Sequence, residues 1–203
     1  MKTEIRTHLF SPSIHVSVMA VIDGKVARAD LEAAVKTACK QNEMLQCRIL
    51  LESDGRAFYE SGAEKDIHIR WMEEKDDWKE VIRQQAPVPF ALKDGELLRF
   101  FAWQEEKACR LLIVGHHLAG DGISFACLTR DIMDALAGKA IPRRPLQLYP
   151  FPGQENKGHL KPPLRFLMKR LNSSWNKSGR VFGWQDYEDI YREYWKNRDI
   201  HIL

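Results

Sequence analysis

The chain has 203 residues, 44% of them hydrophobic, and its 31 lysines and arginines against 28 aspartates and glutamates leave a formal charge of +3. That length suits one buried core with a small appendage, and the near balance of charge neither demands a nucleic-acid partner nor excludes a phosphate-bearing ligand. No apolar run approaches the roughly 20 residues that span a bilayer, and the opening "MKTEIRTHLF" lacks the apolar stretch of a secretory signal, so a cytoplasmic protein without a membrane span is expected.

In chain order, "SIHVSVMAVIDG" alternates loosely up to Asp23 and Gly24, which predicts a strand closed by a turn. The next stretch, "ADLEAAVKTACKQNEML", sets Leu31, Ala34, Val35, Ala38 and Cys39 at helical spacings, with Asp30 placed as a cap. In "LQCRILLESDGRAFY" the pair Asp54-Gly55 stands between two apolar runs, the signal of a hairpin with Arg48 in its first strand. "IHIRWM" reads as a short strand. Trp78, Val81 and Ile82 then mark one face of a helix that Pro87 and Pro89 stop.

"LLRFFAWQ" and "CRLLIVGHH" read as an antiparallel pair whose second member is apolar on both faces and therefore central. Ile123, Phe125, Ala126, Leu128, Ile132, Met133, Leu136 and Ala137 outline a third helix, closed by Gly138. Beyond residue 140 the Pro-rich "IPRRPLQLYPFPGQENKGHLKPP" reads as an extended crossing segment and "LRFLMKRLNSSW" as a short basic helix. A stronger helix carries Tyr187, Ile190, Tyr191, Tyr194 and Trp195, which need a surface to cover, either this chain's own sheet or another lobe or chain. The order of elements predicts an α/β fold of the two-layer α+β kind, a mixed β-sheet covered by helices.

Cys39, Cys47, Cys109 and Cys127 are widely spaced with no CxxC pair, and are expected as small buried hydrophobes. The chemistry concentrates in "LLIVGHHLAGDGIS", where His116 and His117 end the central strand. Adjacent residues of a strand point to opposite faces, so the two imidazoles do not converge on one metal, and no other ligand spacing supplies its remaining donors. Two readings then stand: rings satisfied inside the fold, or one imidazole held at the sheet edge as a general base. Gly120 and Gly122, expected at positive φ, permit a tight reversal there, and Asp121 can hydrogen-bond the turn or pair with a cation. Ser124 and Cys127 lie on the following helix, outside a nucleophile elbow, so the base would act on a bound substrate's hydroxyl, amine or thiol.

"HHLAGDG" resembles the HHxxxDG motif of the chloramphenicol acetyltransferase-like acyltransferases, a superfamily that includes nonribosomal peptide synthetase condensation domains and alcohol O-acetyltransferases. Its surroundings are similar too, from the opening strand, helix and strand through "GELLRFFAW" to the aromatic "DYEDIYREYW", so the resemblance runs from about residue 14 to 195. It implies that His117 is a general base that deprotonates the acceptor as it attacks a thioester, and that His116 is mainly structural. Asp121 would hold the loop through a salt bridge, and Gly122 would keep the helix start close to the substrate channel. Arg48 and Arg99 fall where such enzymes often place arginines, although an ordinary solvated or sheet-edge charge accounts for both equally well. "VFGWQD" is only superficially similar to the superfamily's DFGWG motif and is set aside.

The resemblance further implies an acyltransferase that moves an acyl group from a coenzyme A or carrier-protein (phosphopantetheinyl) thioester to a small alcohol or amine, with no bound cofactor, no metal and no nucleic-acid partner. Residues 1–140 are expected to form the acyltransferase-like lobe, and 141–203 a crossover segment with C-terminal helices packed on the lobe or on a partner. Condensation-type enzymes have two lobes and only the first is expected here, so a second-lobe chain or a homo-oligomer would complete the site. The exposed channel wall and the stripe of Tyr187, Tyr191, Tyr194 and Trp195 are expected to drive that association. The alternative is a non-catalytic remnant or partner-binding module of the same fold.

Overall fold

The structure is a computed structural model that describes residues 8–62, 66–146, 162–196 and 198. Six strands and five helices follow in the order β1 (His15–Asp23), α1 (Arg28–Lys40), β2 (Cys47–Leu51), β3 (Ala57–Ser61), β4 (Ile69–Met72), α2 (Trp78–Gln85), β5 (Leu98–Gln104), β6 (Ala108–His116), α3 (Gly122–Leu136), α4 (Pro162–Ser178) and α5 (Trp184–Trp195) among the described residues. The main sheet runs β1-β6-β5-β4, antiparallel except for the parallel β4–β5 pair, while β2 and β3 form a separate hairpin. This is the expected mixed sheet covered by helices.

The central place of β6 follows from its composition. Leu111 to His116 are all buried, because β1 flanks the strand on one side and β5 on the other while its faces are covered. Leu31, Ala34, Val35, Ala38 and Cys39 give α1 a buried stripe, and α1 packs along α3, whose Phe125, Leu128 and Ile132 join the same core. Burying side chains of this size contributes about 1.5–3 kcal/mol each relative to leaving them exposed.

Local details differ from the sequence reading where backbone position outweighs residue type. Helix α1 starts earlier than expected, with Ala27 at the N-cap, so Asp30 lies in the first turn, where its charge complements the helix dipole without capping. Ile123 and Ala126 are exposed, Ile123 by 76%, so these two positions of the expected stripe stand outside the core. Three cysteines are buried and Cys127 is half-buried; all four are free thiols.

The aromatic stripe of α5 covers this chain's own lobe. Tyr187 and Tyr191 are buried, Tyr187 exchanging hydrogen bonds of 3.1 Å with the backbone of Phe90, so two of the four aromatics expected to drive association are already occupied. The crossing segment is described as far as Leu146; its continuation through 161 lies outside the described residues. There Arg144 donates its backbone N–H to Gln41 and accepts from that of Glu43, and its guanidinium reaches the buried Asp131 of α3, with Nη2 2.8 Å from Oδ1. Among the described residues no helix is long and apolar enough to cross a membrane.

Candidate active site

The motif begins where β6 runs out. His116 keeps its backbone in the sheet by donating N–H to the Leu97 carbonyl at 3.0 Å, and the chain then tightens into a single 3-10 turn over His117–Ala119. The His116 ring turns inward, fully buried, and its Nδ1 accepts the Leu118 N–H at 3.1 Å, which assigns the ring proton to Nε2. Nε2 has no protein partner among the described residues. Phe90 meets the ring edge-on at 5.7 Å. Burial first, and then the neighbouring imidazoles, push the His116 pKa down to about 3, so the ring is neutral at physiological pH.

The antiparallel register sets His15 of β1 opposite His116, with ring centroids 6.2 Å apart. The His15 Nε2 and the Tyr191 hydroxyl share a 2.8 Å hydrogen bond. Burial and then the nearby Arg99 charge lower the His15 pKa to about 4. Arg99 itself donates to the carbonyls of Val88 and Pro89 and to the side chains of Gln85 and Glu96, and lies over the Phe90 ring at 4.2 Å. It braces the loop that supplies Phe90. Arg48 is exposed and pairs with Glu60 across the β2–β3 hairpin.

His117 opens the turn that follows the strand. It is half-buried, and the His8 ring stacks on it at 4.5 Å with 12° between the planes. Its turn is anchored by buried Leu118 and by Tyr59, whose hydroxyl donates to the Leu118 carbonyl at 3.0 Å. Gly120 follows at φ +148°, and a Cβ there would lie 2.5 Å from that of Ser124, so both conformation and space require glycine. Gly122 differs from expectation: it does not have a positive φ and stands in the first turn of α3, with nothing within 4 Å of where a Cβ would be.

Asp121 is the N-cap of α3. Its Oδ1 accepts the Ser124 N–H at 2.9 Å and the Ser124 hydroxyl at 2.8 Å, bonds that hold the carboxyl below the usual carboxylate range. Among the described residues these Ser124 bonds, and no salt bridge of the kind the resemblance implies, hold its carboxylate.

The sequence reading missed three contributors. His15 and His8 flank His116 and His117, and nothing in the spacing of β1 names β6 as its neighbour. Gly115 is the third: a Cβ there would lie 2.2 Å from the Phe125 ring and 2.6 Å from Leu98, so the strand must be bare for α3 to close on it. A glycine inside an apolar strand is the available signal for such a close approach. Among the described residues no group of three or more His, Cys, Asp or Glu side chains could hold a metal ion. A cavity of about 270 Å³, lined in part by Cys39, Leu45, Ile67, Arg70, Leu97 and Phe101, includes none of the motif residues.

A buried β6 end, a 3-10 turn and a capped helix carrying HHxxxDG define a lobe of the chloramphenicol acetyltransferase-like fold. The condensation-domain family model matches residues 8–151, and the chain belongs to that family. It is similar to gramicidin S synthase 2 of Brevibacillus brevis, with 29% identity over 131 residues that cover 64% of this chain and 3% of the synthase. It is also similar to a polyketide synthase-nonribosomal peptide synthetase of Aspergillus clavatus, with 25% identity over 160 residues, 76% of this chain and 4% of that protein.

Solved structures agree on the fold. The first condensation domain of the calcium-dependent antibiotic synthetase, in complex with a substrate analogue, superposes with a TM-score of 0.57 at 18% identity, covering 70% of this chain and 37% of that one. The SgcC5 protein of Streptomyces globisporus gives 0.52 at 19% identity, covering 68% and 33%. The chain thus spans about a third of the length of these structures and a few per cent of the curated relatives.

Proposed function

We propose that this chain supplies the base-bearing lobe of a condensation-type acyl transfer, in which an amine or hydroxyl displaces sulfur from a thioester-linked acyl group. The observation that carries the reading is the asymmetry of the pair: His116 is buried and neutral, while His117 stands on the open side of a turn anchored by Leu118 and Tyr59. In this reading His117 takes the proton of the acceptor N–H or O–H as the freed lone pair attacks the thioester carbonyl. The C–S bond then breaks, and the imidazolium returns the proton to the departing sulfur.

His116 positions the turn by accepting the Leu118 N–H, and Asp121 does so by capping α3. Gly122 leaves open space at the helix start, through which substrate approaches. The similarity to peptide synthetases favours a thioester on a carrier protein's phosphopantetheine arm over free coenzyme A, and an amine over an alcohol. Residues 1–140 act as the lobe and 141–203 as the crossover and bracing helices. A second lobe, in the same polypeptide, a partner chain or a second copy, forms the far wall of the channel.

The test is thiol release from an acyl-pantetheine thioester by the two-lobed protein, over a panel of amines and alcohols. Wild type should release thiol in step with product, and His117→Ala should be slower by about a hundred- to ten-thousandfold. Equal rates in the two would remove the base assignment. A folded wild type that releases no thiol with any donor and acceptor would leave the partner-binding reading in its place.

A further inference from the structure

The segment before β1 has no part in the reading above, yet it straddles the histidine pair. His8 and Leu9 are helical, Leu9 is fully buried, and Phe10 packs on Phe182 at 5.2 Å. A turn closed by Ser11 N–H to the His8 carbonyl, 3.3 Å, and Ile14 N–H to the Ser11 carbonyl, 3.1 Å, then delivers the chain to His15. The same short segment therefore puts one imidazole beside His116 and another on His117.

The second contact is geometrically specific. The His8 and His117 rings are near parallel, 12° apart in plane and 4.5 Å between centroids, so one covers a face of the other. The Nδ1 of His8 is buried without a hydrogen-bond partner among the described residues, so what the structure shows engaging this ring is its π face. Burial and then the adjacent His117 lower the His8 pKa, which favours the neutral ring.

From this geometry we propose that His8 is a positioning residue for His117: its ring fixes the plane of the base and presents a π face to the imidazolium formed when His117 takes the acceptor's proton. The inference rests on the assignment of His117 as the base. A cation on an aromatic face is stabilised by the ring's quadrupole, and at a partly desolvated site the contact corresponds to about a 2- to 30-fold change in rate. The effect belongs to the charged state of His117, so it falls on kcat and leaves KM unchanged.

Three substitutions separate this role from simple space filling: His8→Ala removes volume and π face, His8→Leu keeps volume, and His8→Phe keeps both. In NMR spectra of the histidine-labelled protein, the His117 ring protons should carry an upfield ring-current shift that is lost in H8A and H8L and kept in H8F. A His117 spectrum unchanged in H8A overturns the proposal. In the thiol-release assay with the two-lobed protein, H8A and H8L should lower kcat by about 2- to 30-fold at unchanged KM, and H8F should restore it. Restoration by H8L as complete as by H8F overturns the π-face role. Wild-type kcat in H8A, with H117A inactive, overturns this inference and leaves the base assignment standing; an active H117A removes both.

Discussion

His116 and His117 are neighbours in the chain, yet the first is sealed between Phe90 and His15 while the second lies half-exposed against His8. On the inner side each imidazole has a fixed hydrogen bond, Nδ1 of His116 to the Leu118 N–H and Nε2 of His15 to the Tyr191 hydroxyl, and burial holds both rings neutral. On the outer side the turn is built from glycines and a helix cap, and the ring of His117 meets another ring. The contrast teaches that the step from strand to 3-10 turn gives neighbouring residues different environments, one buried and the other half-exposed.

The sharpest way to break this contrast is to remove each ring in turn. His117→Ala should abolish most turnover, by about a hundred- to ten-thousandfold, with the thermal midpoint nearly unchanged. His116→Ala should chiefly lower the midpoint, because the buried Leu118 N–H loses its acceptor and a cavity opens; an unsatisfied N–H of this kind costs about 1–3 kcal/mol. If calorimetry shows H117A to be the less stable of the two, the inner and outer sides have been assigned the wrong way round.

Acid probes the inner side most strongly. His116 and His15 have folded pKa values near 3 and 4, below the ordinary histidine value of 6.5, so the unfolded chain binds more protons between those limits. Their contribution is present above about pH 6.5 and is lost progressively as pH falls towards 4 and 3, reaching about 2 kcal/mol for each histidine at pH 5. Denaturant unfolding at pH 7 and pH 5 checks this, with His15→Phe expected to flatten the dependence. A slope unaltered by that substitution would mean that His15 is not buried against Tyr191.

Packing against the strand end gives the next effect. Gly115→Ala forces a methyl into the Phe125 ring and Leu98 and should destabilise by about 1–3 kcal/mol, seen as a lower denaturant midpoint at unchanged slope. The companion change Phe125→Leu should recover part of the loss; no recovery would point to the strand backbone as the strained part. Asp121→Ala should give the smallest stability loss, about 1 kcal/mol for an N-cap, together with a fall in rate because the cap fixes the turn that holds His117. A loss of stability alone would limit Asp121 to capping.

Much of this was legible in the sequence, and for identifiable reasons. The run of apolar residues from Leu111 to Val114 announces a strand covered on both faces, and the helical stripes of α1 and α3 announce what covers it. The HHxxxDG spacing marks the strand end and helix start from residues close together in the chain. Long-range neighbours left no such mark. The pairing of β1 with β6 joins Val16 to Gly115 across most of the lobe, so His15 carried no signal of its place beside His116. Periodicity put the α5 aromatics on one face, but only the tertiary contact of Tyr187 with Phe90 shows which surface they cover. It also misplaced Ile123, whose spacing fits the stripe although its side chain is exposed.

The clasp between Arg144 and Asp131 bears on where this lobe can be cut when lobes are exchanged between proteins. By pattern the core ends near residue 140, and a seam there is the natural choice. It would discard Arg144, leaving the carboxylate of Asp131, 3% exposed, without its main counter-ion, and would unzip the backbone bonds to Gln41 and Glu43. A graft that keeps the chain through Leu146, whose N–H also donates to Glu43, retains this clasp. The seam of a transplantable unit is thus set by the residues that reach back, and in this chain they extend to Tyr187 and Tyr191 of α5, which bond the Phe90 backbone and His15.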